Sequence, residues 1–245
     1  MSNGKSRPRE IAQSFSYAGR TIKVSTRYSD RKRLVISVHP DQQVTADVPL
    51  GRSEKVILSR IRQRAPWILK QLERFESYRP FPTPRKYVSG ETFQFLGRQY
   101  RLKVVASENE GAKLVGAFFL LHTRHPKSWE AKSRLAEFWY RKSAESVFEK
   151  RIAELSEKLG VGQEADFQWR LQTMKCKWGS CSRRGTITLN PELVKAPLSC
   201  IEYVIAHELC HLKELNHTKA FYRHLSQVVP DWGERKTKLD RVVLA

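Results

Sequence analysis

The segment His207-Glu208-Leu209-Cys210-His211, with His217 six residues further on, constrains this chain more than any other stretch. On a helix, residues four apart stand one above the other, so His207 and His211 can offer two imidazole nitrogens to a single cation. Glu208 follows the first histidine, where a carboxylate can reach a water held by that cation without itself being a ligand; this is the H-E-x-x-H spacing of metal-dependent hydrolysis. Around the motif, Ile201, Tyr203, Val204, Ile205, Ala206, Leu209 and Leu212 occupy nearly every face of the helix, which predicts burial. Two imidazoles and a carboxylate on a buried helix carry a heavy desolvation cost unless a cation compensates them.

His217 is spaced to leave the helix, turn at Glu214 to Asn216 and present a third imidazole; Glu234 is the second choice. Three neutral nitrogens suit one zinc ion, while the spacing also admits manganese, nickel or cobalt. Such a set leaves a coordination position open, whereas structural zinc sites take four ligands rich in cysteine. Cys210 falls off the histidine stripe and is not expected to bind. Cys176, Cys181, Cys200 and Cys210 form no C-x-x-C pair and read as reduced, structural thiols.

The rest of the chain predicts an α+β fold, a basic β-rich N-terminal region packed on a helical, zincin-like C-terminal region that carries the motif helix. Residues 1–14 read as a flexible N-terminus. Residues 15–122 read as the β-rich region, with a helix at 53–77 that Pro66 should kink or divide. Residues 128–245 read as the hydrolase region, opening on a long helix capped by Ser128 and ended by Gly160. The proline-rich stretch 79–86 is the linker candidate, and Leu96-Gly97 should turn a pair of strands. Trp178-Gly179-Ser180 should lie beside the motif helix. There it offers either a strand edge for an extended peptide or, more simply, a tight turn at Gly179 with Trp178 in the core.

Net charge is +20, and positions 1–103 hold 22 Lys and Arg against 8 Asp and Glu. Such a field attracts polyanions, nucleic acid and nucleotides among them, or simply keeps the surface solvated; no nucleic-acid-binding motif accompanies it. The trio Arg31, Lys32 and Arg33 reads as a hairpin end, either a contact patch or, as the preferred reading, a solvated turn. No apolar run suits a membrane span or a signal peptide, so a cytoplasmic location without membrane contact is expected.

The run Met174-Lys175-Cys176-Lys177-Trp178-Gly179-Ser180-Cys181, then Ile187-Thr188-Leu189-Asn190, then Asn216-His217 and Phe221 resembles the YgjP-like family of metal-dependent hydrolases, relatives of the SprT and WLM metallopeptidases. Thr218 and Tyr222 stand where serine and tryptophan are commoner in that family. The resemblance implies zinc on His207, His211 and His217, with Glu208 as the catalytic carboxylate that activates the metal-bound water. It implies a peptidase acting on polypeptide, while some members are described as pyrophosphatases acting on UTP. A nucleic-acid-binding protein with a structural metal is the third reading, disfavoured by the open coordination position. His224, two turns beyond His217 on a helix capped by Thr218, and Lys175, Lys177, Arg183 and Arg184 on the strand segment are the candidates for substrate contact.

Overall fold

In the computed structural model, the alternating N-terminal residues form β1 (Glu10–Tyr17), β2 (Arg20–Ser29), β3 (Val35–Val38) and β4 (Val44–Pro49). They pair in the order β1-β2-β4-β3, with β2 and β4 parallel and the other pairs antiparallel. Ile22, Val24, Val44, Ala46 and Val48 share one buried core with Ile57, Ile61, Ala65 and Ile68 from α1 (Glu54–Gln63) and α2 (Ala65–Glu76). Pro66 divides the two helices: it stands in the first turn of α2, where its missing N–H leaves no intrahelical partner unsatisfied. The structure describes residues 10–39, 41–76, 85–161, 167–174 and 177–242. Strand β1 corrects the expectation of a flexible 1–14, because pairing from Glu10↔Arg27 to Tyr17↔Arg20 satisfies its backbone; positions 1–9 lie outside the described residues, as does most of the linker candidate.

Two units divide the chain, one within Met1–Pro82 and one within Thr83–Val243. The second holds a sheet of β5 (Thr92–Phe95), β6 (Arg98–Ala106), β7 (Gly111–Val115) and β8 (Phe118–Thr123), in the order β5-β6-β8-β7. The sequence grouped these strands with the N-terminal region through residue 122. They belong instead with α3 (Trp129–Leu159), because their apolar face is aromatic and closes on that helix. Phe93 meets Phe119 at 5.1 Å between ring centroids, and Phe119 meets Trp139 at 4.8 Å. Ser128 caps α3 by accepting from the Ala131 N–H at 3.2 Å, and Gly160 ends it at φ 60°.

Behind α3 follow β9 (Gln168–Leu171), β10 (Gly179–Cys181) and β11 (Thr186–Leu189), in the order β10-β11-β9 with β10 on an edge. A 3-10 helix (Pro191–Lys195) leads to α4 (Leu198–Cys210), which packs on α3, and the chain ends with α5 (Lys219–Val228) and α6 (Trp232–Asp240). The fold is thus α+β, with an N-terminal β-sheet region and a C-terminal helical region that bears a histidine cluster. Among the described residues, no helix is long and apolar enough to cross a membrane.

The β5–β6 turn fixes where α4 begins. Leu96 at φ 49° and Gly97 at φ 77° form the paired positive-φ turn that matches strand twist. Their N–H groups donate to the carbonyls of Val194 (2.9 Å) and Lys195 (3.2 Å). A Cβ on Gly97 would lie 2.9 Å from the Pro197 Cα, at the N-cap of α4. Gly97→Ala combines an unfavourable φ with a backbone clash, so urea unfolding should show a loss of ~1–3 kcal/mol. A loss under ~0.5 kcal/mol would mean the turn does not set the helix position.

Candidate metal centre

Helix α4 is buried around most of its circumference by Cys200, Ile201, Val204, Ile205, Ala206, Leu209 and Cys210. It stops at Cys210 with His211 as its C-cap, and the N–H groups of Lys213 and Glu214 turn back to the Cys210 carbonyl at 3.1 and 2.9 Å. Thr218 starts α5 by accepting from the Phe221 N–H at 3.3 Å. This reversal returns His217 to the helix, with its Nε2 3.0 Å from the Nε2 of His207. One ring nitrogen from each of His207, His211 and His217 lies within 4.8 Å of the others. Phe221 packs against all three imidazoles, at 5.0, 4.8 and 4.7 Å between centroids.

The donor set fits a divalent cation. His211 Nδ1 lies 3.0 Å from the Glu214 carbonyl, which can only accept, so Nδ1 carries the proton and Nε2 keeps its lone pair. Burial pushes His207 down to about 3, with His211 and His217 adding to the effect; burial and His211 lower His217 as well. Neutral imidazoles are the form that binds metal. A tetrahedral ion with bonds of about 2.0–2.1 Å needs donors about 3.3 Å apart; the His207–His217 pair stands at 3.0 Å and the whole trio within 4.8 Å. His207 Nδ1, on the far side of the ring, is buried without a hydrogen-bond partner among the described residues.

Glu208 is 7% exposed, and burial raises its carboxyl to about 7 against the opposing charge of Lys177. Gly179 makes that position available: a Cβ there would lie 2.9 Å from both Cγ and Oε1 of Glu208. The expectation of a tight turn at Gly179 is therefore corrected, since the residue sits in strand β10 and its missing side chain is the space the carboxylate occupies. Trp178 is half-buried against the core, as expected.

The other candidates separate. Lys177 is exposed and its charge reaches Glu208, whereas Lys175 lies outside the described residues. Arg183 and Arg184 occupy the exposed turn between β10 and β11. His224 sits on α5 without a ring contact to the trio among the described residues; Tyr222, 6.3 Å from His217 between centroids, stands nearer. Glu234 is outside the cluster, and Cys210 is buried and outside it too. Lys236 on α6, whose charge acts on His207 and His217, has no mark in the sequence, because only the packing of α6 on α4 brings it close.

In metal-stripped protein, Glu208 binds its proton more tightly folded than unfolded, so its contribution to stability falls as pH rises from its ordinary 4.5 to about 7. His207 acts in the opposite sense between its ordinary 6.5 and about 3. The Glu208→Gln difference isolates the first effect. It should grow from near zero at about pH 3.5 to a stabilisation of up to ~3 kcal/mol at about pH 8, read from paired urea titrations. A difference independent of pH would mean that the carboxyl is solvated.

The family described as YgjP-like, metallopeptidase domain, matches residues 32–242. Two solved structures are also similar. The metallopeptidase zymogen of Pyrococcus abyssi abylysin is 25% identical over 40% of this chain and 99% of its own, with a TM-score of 0.33. The zymogen of Methanocaldococcus jannaschii jannalysin is 24% identical over 38% of this chain and 92% of its own, with a TM-score of 0.34. A comparison with curated proteins found no match.

Proposed function

The chain belongs to the YgjP-like metallopeptidase family and is a metal-dependent hydrolase, and on that premise we propose that it cleaves polypeptide, with zinc held by His207, His211 and His217. The observation that carries this reading is the buried Glu208 carboxyl, seated by Gly179 on the same helix as two of the three converging imidazoles. A zinc ion there supplies Lewis acidity toward a carbonyl and lowers the pKa of water to about 7. Glu208, whose ionised form a nearby cation favours, accepts a proton from the attacking water at a carboxylate oxygen. As the scissile C–N bond breaks, the same oxygen delivers that proton to the leaving amine.

Strand β10 supports a peptide substrate. The Asn190 N–H donates to the Trp178 carbonyl and the Ser182 N–H to the Thr186 carbonyl, so Trp178, Ser180 and Ser182 direct their backbone toward β11. Gly179 and Cys181 then direct theirs to the open edge, where an extended chain can add as a further strand. Hydrolysis of UTP at the same trio is the second reading. It is favoured by Lys177 and Lys236, whose charges reach Glu208 and the imidazoles and would meet a phosphate.

Zinc-loaded protein should cleave unfolded casein, and Glu208→Gln should lower turnover at least about a thousandfold while retaining stoichiometric zinc. Release of pyrophosphate from UTP with intact casein would transfer the site to the nucleotide reading, and a fully active Glu208→Gln would remove the carboxylate from the mechanism. Gly179→Ala should lower kcat by about tenfold or more with zinc retained, because the new methyl displaces Glu208 and not the histidines. An unchanged kcat would show that Glu208 tolerates the shift.

A further inference from the structure

A groove of about 540 Å³ lies in the N-terminal unit, between the turn before β3 and the junction of α1 with α2. Its lining includes Lys32, Arg33, Arg60 and Arg64, the indole of Trp67 and the half-buried Leu34, and no carboxylate. All four cations are exposed, and none has an ion pair among the described residues. Their neighbour Arg31 differs, since it pairs with Asp47 at 3.1 Å. Trp67 is 43% exposed in the first turn of α2, a turn that holds no acidic residue. A singly exposed aromatic is ordinary on a protein surface; what sets Trp67 apart is that it lines one groove with four cations and no carboxylate.

We infer that this groove binds single-stranded nucleic acid, with phosphates against Lys32, Arg33, Arg60 and Arg64 and an unpaired base stacked on Trp67. Three of the four cations are guanidinium groups, which meet phosphate oxygens in bidentate fashion and also stack on bases. An indole offers a π-face to any base, but only to one outside a duplex stack. The groove is open, with Lys32, Arg33, Arg60, Arg64 and Trp67 all exposed, and cannot enclose most of a small ligand's surface as a mononucleotide site does. A polymer needs no such enclosure, because each neutralised phosphate releases counterions. Among the described residues, none that lines the groove belongs to the histidine trio.

Fluorescence anisotropy of the full-length, metal-loaded chain with a labelled single-stranded oligonucleotide of about twelve residues tests this directly. Arms of RNA and of DNA tell which sugar is preferred, and both count as binding. Affinity should fall with salt at a log–log slope of about −3, as about four phosphate contacts give for single strands. Arg60→Glu with Arg64→Glu should weaken binding at least tenfold and flatten that slope. Trp67→Ala should weaken it about five- to tenfold and leave the slope unchanged, which is the signature of lost stacking. Circular dichroism and zinc content, expected to be unchanged in both variants, separate loss of the site from loss of the fold; should either variant misfold, Arg33→Glu on the exposed turn replaces it. Equal affinity for duplex, for polyglutamate or for UTP would overturn the inference, as would tight binding that neither Trp67 nor the arginines affect.

Discussion

Burial of helix α4 is the constraint on which the rest of this structure depends. A helix apolar on nearly every side gains much by entering a core, yet this one takes Glu208 inside with it and half-buries His207. The protein accommodates those polar groups by shifting them toward neutrality, the imidazole far down and the carboxyl up to about 7. A divalent cation at the trio would reverse the balance, satisfying the nitrogens and favouring the ionised carboxylate. Metal binding and folding would thus be coupled through desolvation.

Everything packed on α4 fixes that imbalance in space. Asn190, fully buried, accepts from the Glu192 N–H at 3.2 Å to open the 3-10 helix, while its amide donates to the Met174 and Lys177 carbonyls at 2.8 and 3.1 Å. One side chain thus joins the end of β11 to the segment that leads into β10. Through β10 it sets Gly179 against Glu208. The β5–β6 turn determines the other end of the helix through Val194 and Lys195. Because His207, Glu208 and His211 ride on one helix, these contacts hold the three side chains as one body against β10 and the β5–β6 turn.

What the sequence made legible were features that act along the chain. Ser128 and Gly160 bound α3, Pro66 separates two helices, Leu96-Gly97 turns a hairpin, and the intervals from His207 to His217 assemble the trio. Each is a local rule of capping, backbone freedom or helical spacing. Features that act across the chain were hidden. That β5 to β8 close on α3 follows from aromatic rings meeting far from one another in sequence, not from any change of composition near residue 122. Gly179 looked like a turn residue because a missing side chain has no sequence sign of which neighbour fills the space. Lys236 was silent for the same reason, as its influence on the site comes wholly from helix packing.

The basic composition also takes on a different meaning once partners are visible. Each unit carries a similar surplus of cations, since Met1–Pro82 has 17 Lys and Arg against 7 Asp and Glu, and the remainder has 28 against 18. In the C-terminal unit several of these charges are engaged: Arg151 and Arg235 both bind Glu202, Arg235 also binds Asp231, and Lys195 pairs with Glu192 beneath the Tyr140 ring. In the N-terminal unit Arg31 is neutralised by Asp47, but the next two cations in the turn and two arginines from α1 and its C-cap converge on one groove without an acid. Like charges gathered at one place repel, and the fold holds them there although flanking positions would have dispersed them. That arrangement favours an anionic ligand over general solubility, because solubility requires only the number of charges and not their convergence beside an exposed indole.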